Sequence, residues 1–164
     1  MIRSTLTELG VPHEATSATS FVVRLTGTGG LPVPVRLVVG EQTLLVEAFF
    51  VRQPDEDGAA LFRFLLERNA GAHGVHFAVD REGDVYAIGR VPLLAVTPEE
   101  VERLLGAVIS LADETFAAPH DAGFGRTISR ERRWREHASL EDLSPAAQLD
   151  LPAGRTGGRH RRRG

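Results

Sequence analysis

The run Asp80-Arg81-Glu82-Gly83-Asp84 sets carboxylates at alternating positions, the arrangement by which a loop grips calcium. An EF-hand loop needs glycine at its sixth position and glutamate at its twelfth. Here glycine is fourth, and the twelfth position from Asp80 is Val91. The run therefore reads as the polar turn of a hairpin. His73 and His76 are spaced H-x-x-H, and His120 stands beside Asp121. Zinc needs about three or four convergent ligands. His76 falls in a strand pattern and His73 in the loop before it, so these read as separate surface or interface histidines. No metal and no cofactor is expected.

Gly27-Thr28-Gly29-Gly30 has the composition of a phosphate cradle, but no helix pattern follows to supply an anion-binding N-terminus. A flexible connector is expected there. Arg126, Arg130, Arg132, Arg133 and Arg135 surround Trp134, and Arg159 with Arg161 to Arg163 closes the chain. Clustered arginine around an aromatic ring can bind phosphate backbone and stack a base. The competing reading makes Trp134 an anchor that packs the segment onto the body, or a residue of a protein interface. Residues Arg130, Arg132, Arg133 and Arg135 are the candidate nucleic-acid contacts if the first reading holds.

The missing residue types exclude more. There is no lysine, and all 19 basic residues are arginine. A Walker lysine, a Schiff-base lysine and a Ser-Lys pair each need a primary amine. The absence of cysteine removes thiolate nucleophiles, iron–sulfur clusters and cysteine-ligated zinc. No G-x-S-x-G elbow presents a serine. Nothing here assembles a catalytic centre, and no enzymatic activity is expected; a small enzyme is the least favoured reading.

Charge divides the chain. Residues 1–125 carry 9 Arg against 17 Asp and Glu, and residues 126–164 carry 10 Arg against 5. An acidic body thus precedes a basic tail. At 164 residues one domain is the default. No apolar run approaches the roughly 18 residues that span a bilayer, so no membrane is expected. The first residues lack the apolar stretch of a signal peptide, and the lack of cysteine makes the cytoplasm the simplest compartment.

These residues must be positioned by regular elements. Ile2, Leu6 and Leu9 fall at helical spacing, ended by Gly10 and Pro12. Strands are expected from Phe21 to Thr26, Val33 to Val39 and Thr43 to Gln53. Pro32 and Pro34 cannot donate to a ladder, which predicts an edge, or a place outside the sheet, for the start of the second of these. A helix follows, with Ala60, Leu61, Phe64 and Leu65 on one apolar face and Phe62 and Leu66 on another. Val75, Phe77 and Val79 alternate with polar or small residues, and Val85 to Val91 returns as the second strand of a hairpin. Thr97-Pro98-Glu99-Glu100 then supplies an N-cap, a first-turn proline and a capping-box carboxylate. The stripe Val101, Leu104, Leu105, Val108, Leu111, Ala112 and Phe116 marks the helix that follows. The order is α-βββ-α-ββ-α, an α+β fold with an antiparallel five-stranded sheet.

The segments DREGDVYAIGRVPL, TPEEVERLLGAVISLADETF and GFGRTISRERRW resemble the YbjN-domain family, whose members share the fold of type III secretion chaperones. The markers are Gly83-Asp84-Val85-Tyr86, Gly89-Arg90 and the arginine-rich segment reaching Trp134, and the resemblance runs from residue 2 to about 140. It implies a small acidic cytoplasmic protein, commonly dimeric, that binds other proteins; some members are described as regulators, with no agreed catalytic activity. The first helix is shorter than the resemblance leads one to expect, and the tail past Pro145 lies outside it.

The expected organisation is a domain over 1–125, a partly helical Arg/Trp extension over 126–143 and a disordered basic tail over 144–164. The expected function is a chaperone-like, adaptor or regulatory protein-binding module that pairs with itself as a homodimer or with a client. Its protein interface is placed at Val51, Phe62, Leu66 and Trp134, because a helix apolar on two sides must bury both. A regulator contacting nucleic acid through the tail is the alternative.

Overall fold

A computed structural model describes residues 1–55, 58–117 and 124–138. The expected tail over 144–164 and residues 139–143 of the extension lie outside the described residues, as do His120 and Asp121. The chain opens with helix α1 (Ile2–Glu8) and strands β1 (His13–Ala15), β2 (Ser20–Thr26), β3 (Pro32–Val39) and β4 (Thr43–Val51). Helix α2 (Gly58–Asn69) leads to strands β5 (Val75–Val79) and β6 (Val85–Pro92), then helices α3 (Pro98–Phe116) and α4 (Gly125–His137). All strand pairs are antiparallel, in the order β1-β2-β3-β4-β6-β5.

The sheet therefore has six strands, not the expected five. The additional one, β1, is three residues long and carries no apolar alternation. Its pairing with β2, His13 opposite Val23 and Ala15 opposite Phe21, makes it a strand. Its own propensity does not.

One face of the sheet carries the core. Phe21 and Val23 of β2, Val33, Val35 and Leu37 of β3, and Leu44, Val46, Ala48 and Phe50 of β4 alternate onto it. Helix α3 lies across β2 to β6 and buries the whole predicted stripe. Its start is fixed as the sequence predicts: the Thr97 hydroxyl accepts from Glu100 N at 3.2 Å, with Pro98 in the first turn. The Glu100 carboxylate turns instead to Arg103, at 2.6 and 2.8 Å, which holds its pKa below the usual carboxylate range.

The prolines do not put β3 at an edge. β3 lies between β2 and β4, but it pairs with β4 only from Arg36 to Val39. Val39 N donates to Thr19 O, so the odd residues of β3 bond to β2 and the even ones face β4. The missing hydrogens of Pro32 and Pro34 thus point to the side where β4 has parted from β3. Helix α4 fills that gap, and its Ile128 joins the same core as Phe124 and Phe116. The expected boundary near residue 125 falls at the first turn of this helix.

Candidate protein-binding surface

Helix α2 uses its two apolar faces differently. Leu61 and Leu65 are buried, and Phe64 packs on Phe124 with ring centroids 4.8 Å apart. On the second face Phe62 is half-buried against the core, whereas Leu66 stays 65% exposed. Arg63 and Glu67 flank Leu66 and pair at 3.1 Å. α2 packs along β5, whose last residue, Val79, is also exposed. Val51 does not belong to this surface; it is fully buried. The β4–β6 register shifts between Phe49 and Val51, and this bulge sends both Phe50 and Val51 into the core instead of letting them alternate.

A groove that the sequence reading did not anticipate runs between the end of α2 and α3. It encloses about 500 Å³ and is lined by Arg68, Ala72, Val75, Arg103, Ala107 and Leu111, among others. Arg68 reaches Glu114 across it at 3.5 Å. It is assembled from residues distant in sequence, so periodicity carries no sign of it.

Helix α4 holds the Arg/Trp cluster. Trp134 is half-buried, with the Arg52 guanidinium 4.7 Å from its ring centre. Arg135 is not available to a phosphate: it is 2% exposed, and its guanidinium donates to the carbonyls of Phe49 at 2.7 Å, Phe50 at 3.0 Å and Pro32 at 3.1 Å. Phe116 lies 5.0 Å from the guanidinium carbon. Such a fork satisfies several acceptors at once, which a lysine ammonium matches poorly. Glu131 is the counter-charge at 3.4 Å, and among the described residues neither Arg135 Nε nor Glu131 Oε1 makes a hydrogen bond. Burial pushes the Glu131 carboxyl above its ordinary pKa, opposed chiefly by Arg135, and pushes Arg135 down to about 10. Arg130 pairs with Asp55, and Arg132 with Glu136 at 3.2 Å. Arg133 is exposed.

Both aspartates of the acidic turn accept from backbone N–H groups, one within the turn and one after β4. Asp80 Oδ1 accepts from Asp84 N at 2.9 Å, and Asp84 Oδ1 from Gln53 N at 2.7 Å. Gly83 sits at φ +89°, where a side chain would be strained. The same carboxylates face Tyr86. Burial first, then Asp80, Asp84 and Glu47, push its hydroxyl well above its ordinary pKa. The loop from Gly27 to Gly30, expected to be a flexible connector, is pinned. Asp113 of α3 accepts from Thr28 N at 2.9 Å and from its hydroxyl at 2.5 Å. A carboxylate already occupies the place an anion would take. His73 and His76 are both exposed, and among the described residues no three His, Asp or Glu side chains converge. Among the described residues no helix is long and apolar enough to cross a membrane.

The family model of YbjN, described as "Putative bacterial sensory transduction regulator", matches residues 1–120. The chain belongs to the YbjN family. Its relatives include an uncharacterized protein of Mycobacterium tuberculosis, 39% identical over 140 residues that cover 84% of this chain and 76% of the other. Another, from Mycobacterium leprae, is 37% identical over 130 residues, covering 78% and 71%. Among solved structures, a YbjN protein from E. coli is similar with a TM-score of 0.51 at 18% identity, over 71% of this chain and 89% of that one. A chain of the heterodimeric ExoU–SpcU complex from the type III secretion system of Pseudomonas aeruginosa is similar with a TM-score of 0.53 at 16% identity, over 70% and 93%. This YbjN chain thus has the α+β fold with an antiparallel sheet that type III secretion chaperones share.

Proposed function

We propose that this YbjN protein is a non-enzymatic, chaperone-like or adaptor module that acts in the cytoplasm by binding other proteins, and that its partner at α2 is a second copy of itself. The observation that carries this reading is Leu66, a large apolar side chain left 65% exposed on a helix whose other face buries Leu61 and Leu65. Its setting is self-complementary. Arg63 and Glu67 lie along one flank of Leu66, the first N-terminal and the second C-terminal to it, so two copies of α2 packed antiparallel about a two-fold axis near Leu66 would bring Arg63 of one copy to Glu67 of the other. Phe62 and Leu66 of each copy would then lose their water. Trp134 remains a candidate for the client side, half-buried and braced by Arg52. The groove between α2 and α3 offers an apolar floor with charged walls, suited to an extended client segment.

The test is the mass of the full chain in solution. Light scattering at micromolar concentration should give twice the chain mass, and Leu66→Asp should return it to one. Phe62→Asp is the weaker probe, since Phe62 also touches the core. A monomeric wild type sinks the self-association reading.

A second reading, contact with nucleic acid, draws support from the shallow depression that Arg126, Arg130 and Arg133 line at the start of α4. Affinity for a duplex should then fall steeply with salt. Binding indifferent to salt counts against it.

A further inference from the structure

β5 is the outer strand of the sheet on the α2 side, with β6 its neighbour. An outer strand presents unpaired N–H and C=O groups, a template on which another chain can add. The direction of these groups follows from the hairpin. Asp80 N donates to Asp84 O, so even residues of β5 face β6, and Val75, Phe77 and Val79 turn their backbone groups outward. Phe77 is the centre of that open row.

Asn69, the last residue of α2, meets both of its groups. Its side-chain carbonyl accepts from Phe77 N at 2.7 Å, and its side-chain amide donates to Phe77 O at 3.1 Å. A primary amide has the same donor and acceptor pair as a peptide unit. Asn69 thus occupies the place that a residue of an added strand would take. Asparagine is a poor helix former, so helix propensity gives no reason for its presence in α2.

The geometry points to Asn69 as a specificity-determining residue that closes the β5 edge to strand addition, so that a partner reaches this flank through the side chains of α2. This inference rests on the reading of the α2 face as the contact surface.

Two measurements on the full chain test it. Amide hydrogen exchange of the wild type should find Phe77 N–H at least roughly tenfold slower than Val79 N–H, which points the same way with no plug among the described residues. In Asn69→Ala, a change that favours the helix, Phe77 should speed up roughly tenfold toward Val79. Sedimentation of Asn69→Ala should also show species larger than those of the wild type. Asn69→Asp keeps the acceptor for Phe77 N–H and sets a charge at the edge, so it should stay protected and gain no larger species. Equal exchange at Phe77 and Val79 in the wild type overturns the plug. Faster exchange in Asn69→Ala without larger species overturns closure of the edge to partners. A monomeric wild type removes the dimer reading alone, and the exchange data still decide the plug.

Discussion

Arg135 supplies the hydrogen that Pro34 lacks. The pairing of Arg36 with Glu47, carried two residues further, sets Pro34 opposite Phe49. In that register Phe49 O would accept from residue 34, but proline has no N–H to give. The guanidinium of Arg135 donates to that carbonyl at 2.7 Å and reaches Pro32 O across the gap at 3.1 Å. A side chain from the last described helix thereby completes a ladder between two strands near the start of the chain.

Replacing Arg135 with Met should therefore cost about 3–5 kcal/mol, since it strands Glu131 and opens several carbonyls. Urea denaturation measures it. Pro34→Val restores an N–H toward Phe49 and should be less harmful in the Arg135→Met background than in the wild type. A double-mutant cycle with no coupling between the two would refute the relationship.

Glu131 gives a pH signature. Its carboxyl is raised by burial, so the folded state still holds the proton where the unfolded chain has lost it. Stability contributed by this group is full below the ordinary carboxylate pKa and falls as pH rises through the folded value. Glu131→Gln should gain on the wild type as pH increases over that window. Parallel stability curves for the two proteins count against the assignment.

Gly27 is a packing requirement. A Cβ there would lie 2.5 Å from Asp113 Oδ1, the atom that accepts from Thr28 N. Gly27→Ala should cost about 1–3 kcal/mol by displacing that carboxylate. If Thr28 keeps its amide protection in the variant, the loop is held by something else.

Tyr86 predicts the opposite sign. Its hydroxyl is buried without a hydrogen-bond partner among the described residues. Tyr86→Phe should leave stability unchanged or raise it by up to ~1 kcal/mol. A clear loss in denaturant unfolding would mean that the hydroxyl is paired in solution.

Leu66→Asp separates surface from core. Leu66 is largely exposed, so the substitution should change the unfolding free energy of the monomer by no more than about 0.5 kcal/mol. Its effect belongs to association, read by light scattering.

The elements legible in the sequence were those whose signals are local. The stripe of α3 and the Thr97 cap predict a helix that the structure contains, and the alternation of β5 and β6 predicts their hairpin. β1 was not legible, because its three residues become a strand only through β2. Val51 was misplaced on the surface since a bulge breaks the alternation on which that placement rested. Arg135 read as a solvent-facing cation because composition carries no sign of the three carbonyls that surround it. Leu66 was legible as the second apolar stripe of α2, and its exposure follows from that pattern.

The strand order also sets how this chain must fold. β1 to β4 add in chain order through short connections, and β5 and β6 form a hairpin of their own. The joint between these halves is β4 with β6, from Thr43 opposite Pro92 to Val51 opposite Val85. Each half can organise early, but the joint must wait until the chain containing α2 has been drawn into a loop, at a cost in chain entropy that no contact yet offsets. Topology thus predicts that β4–β6 pairing limits folding, and substitutions there should slow refolding more than equally destabilising ones in β1.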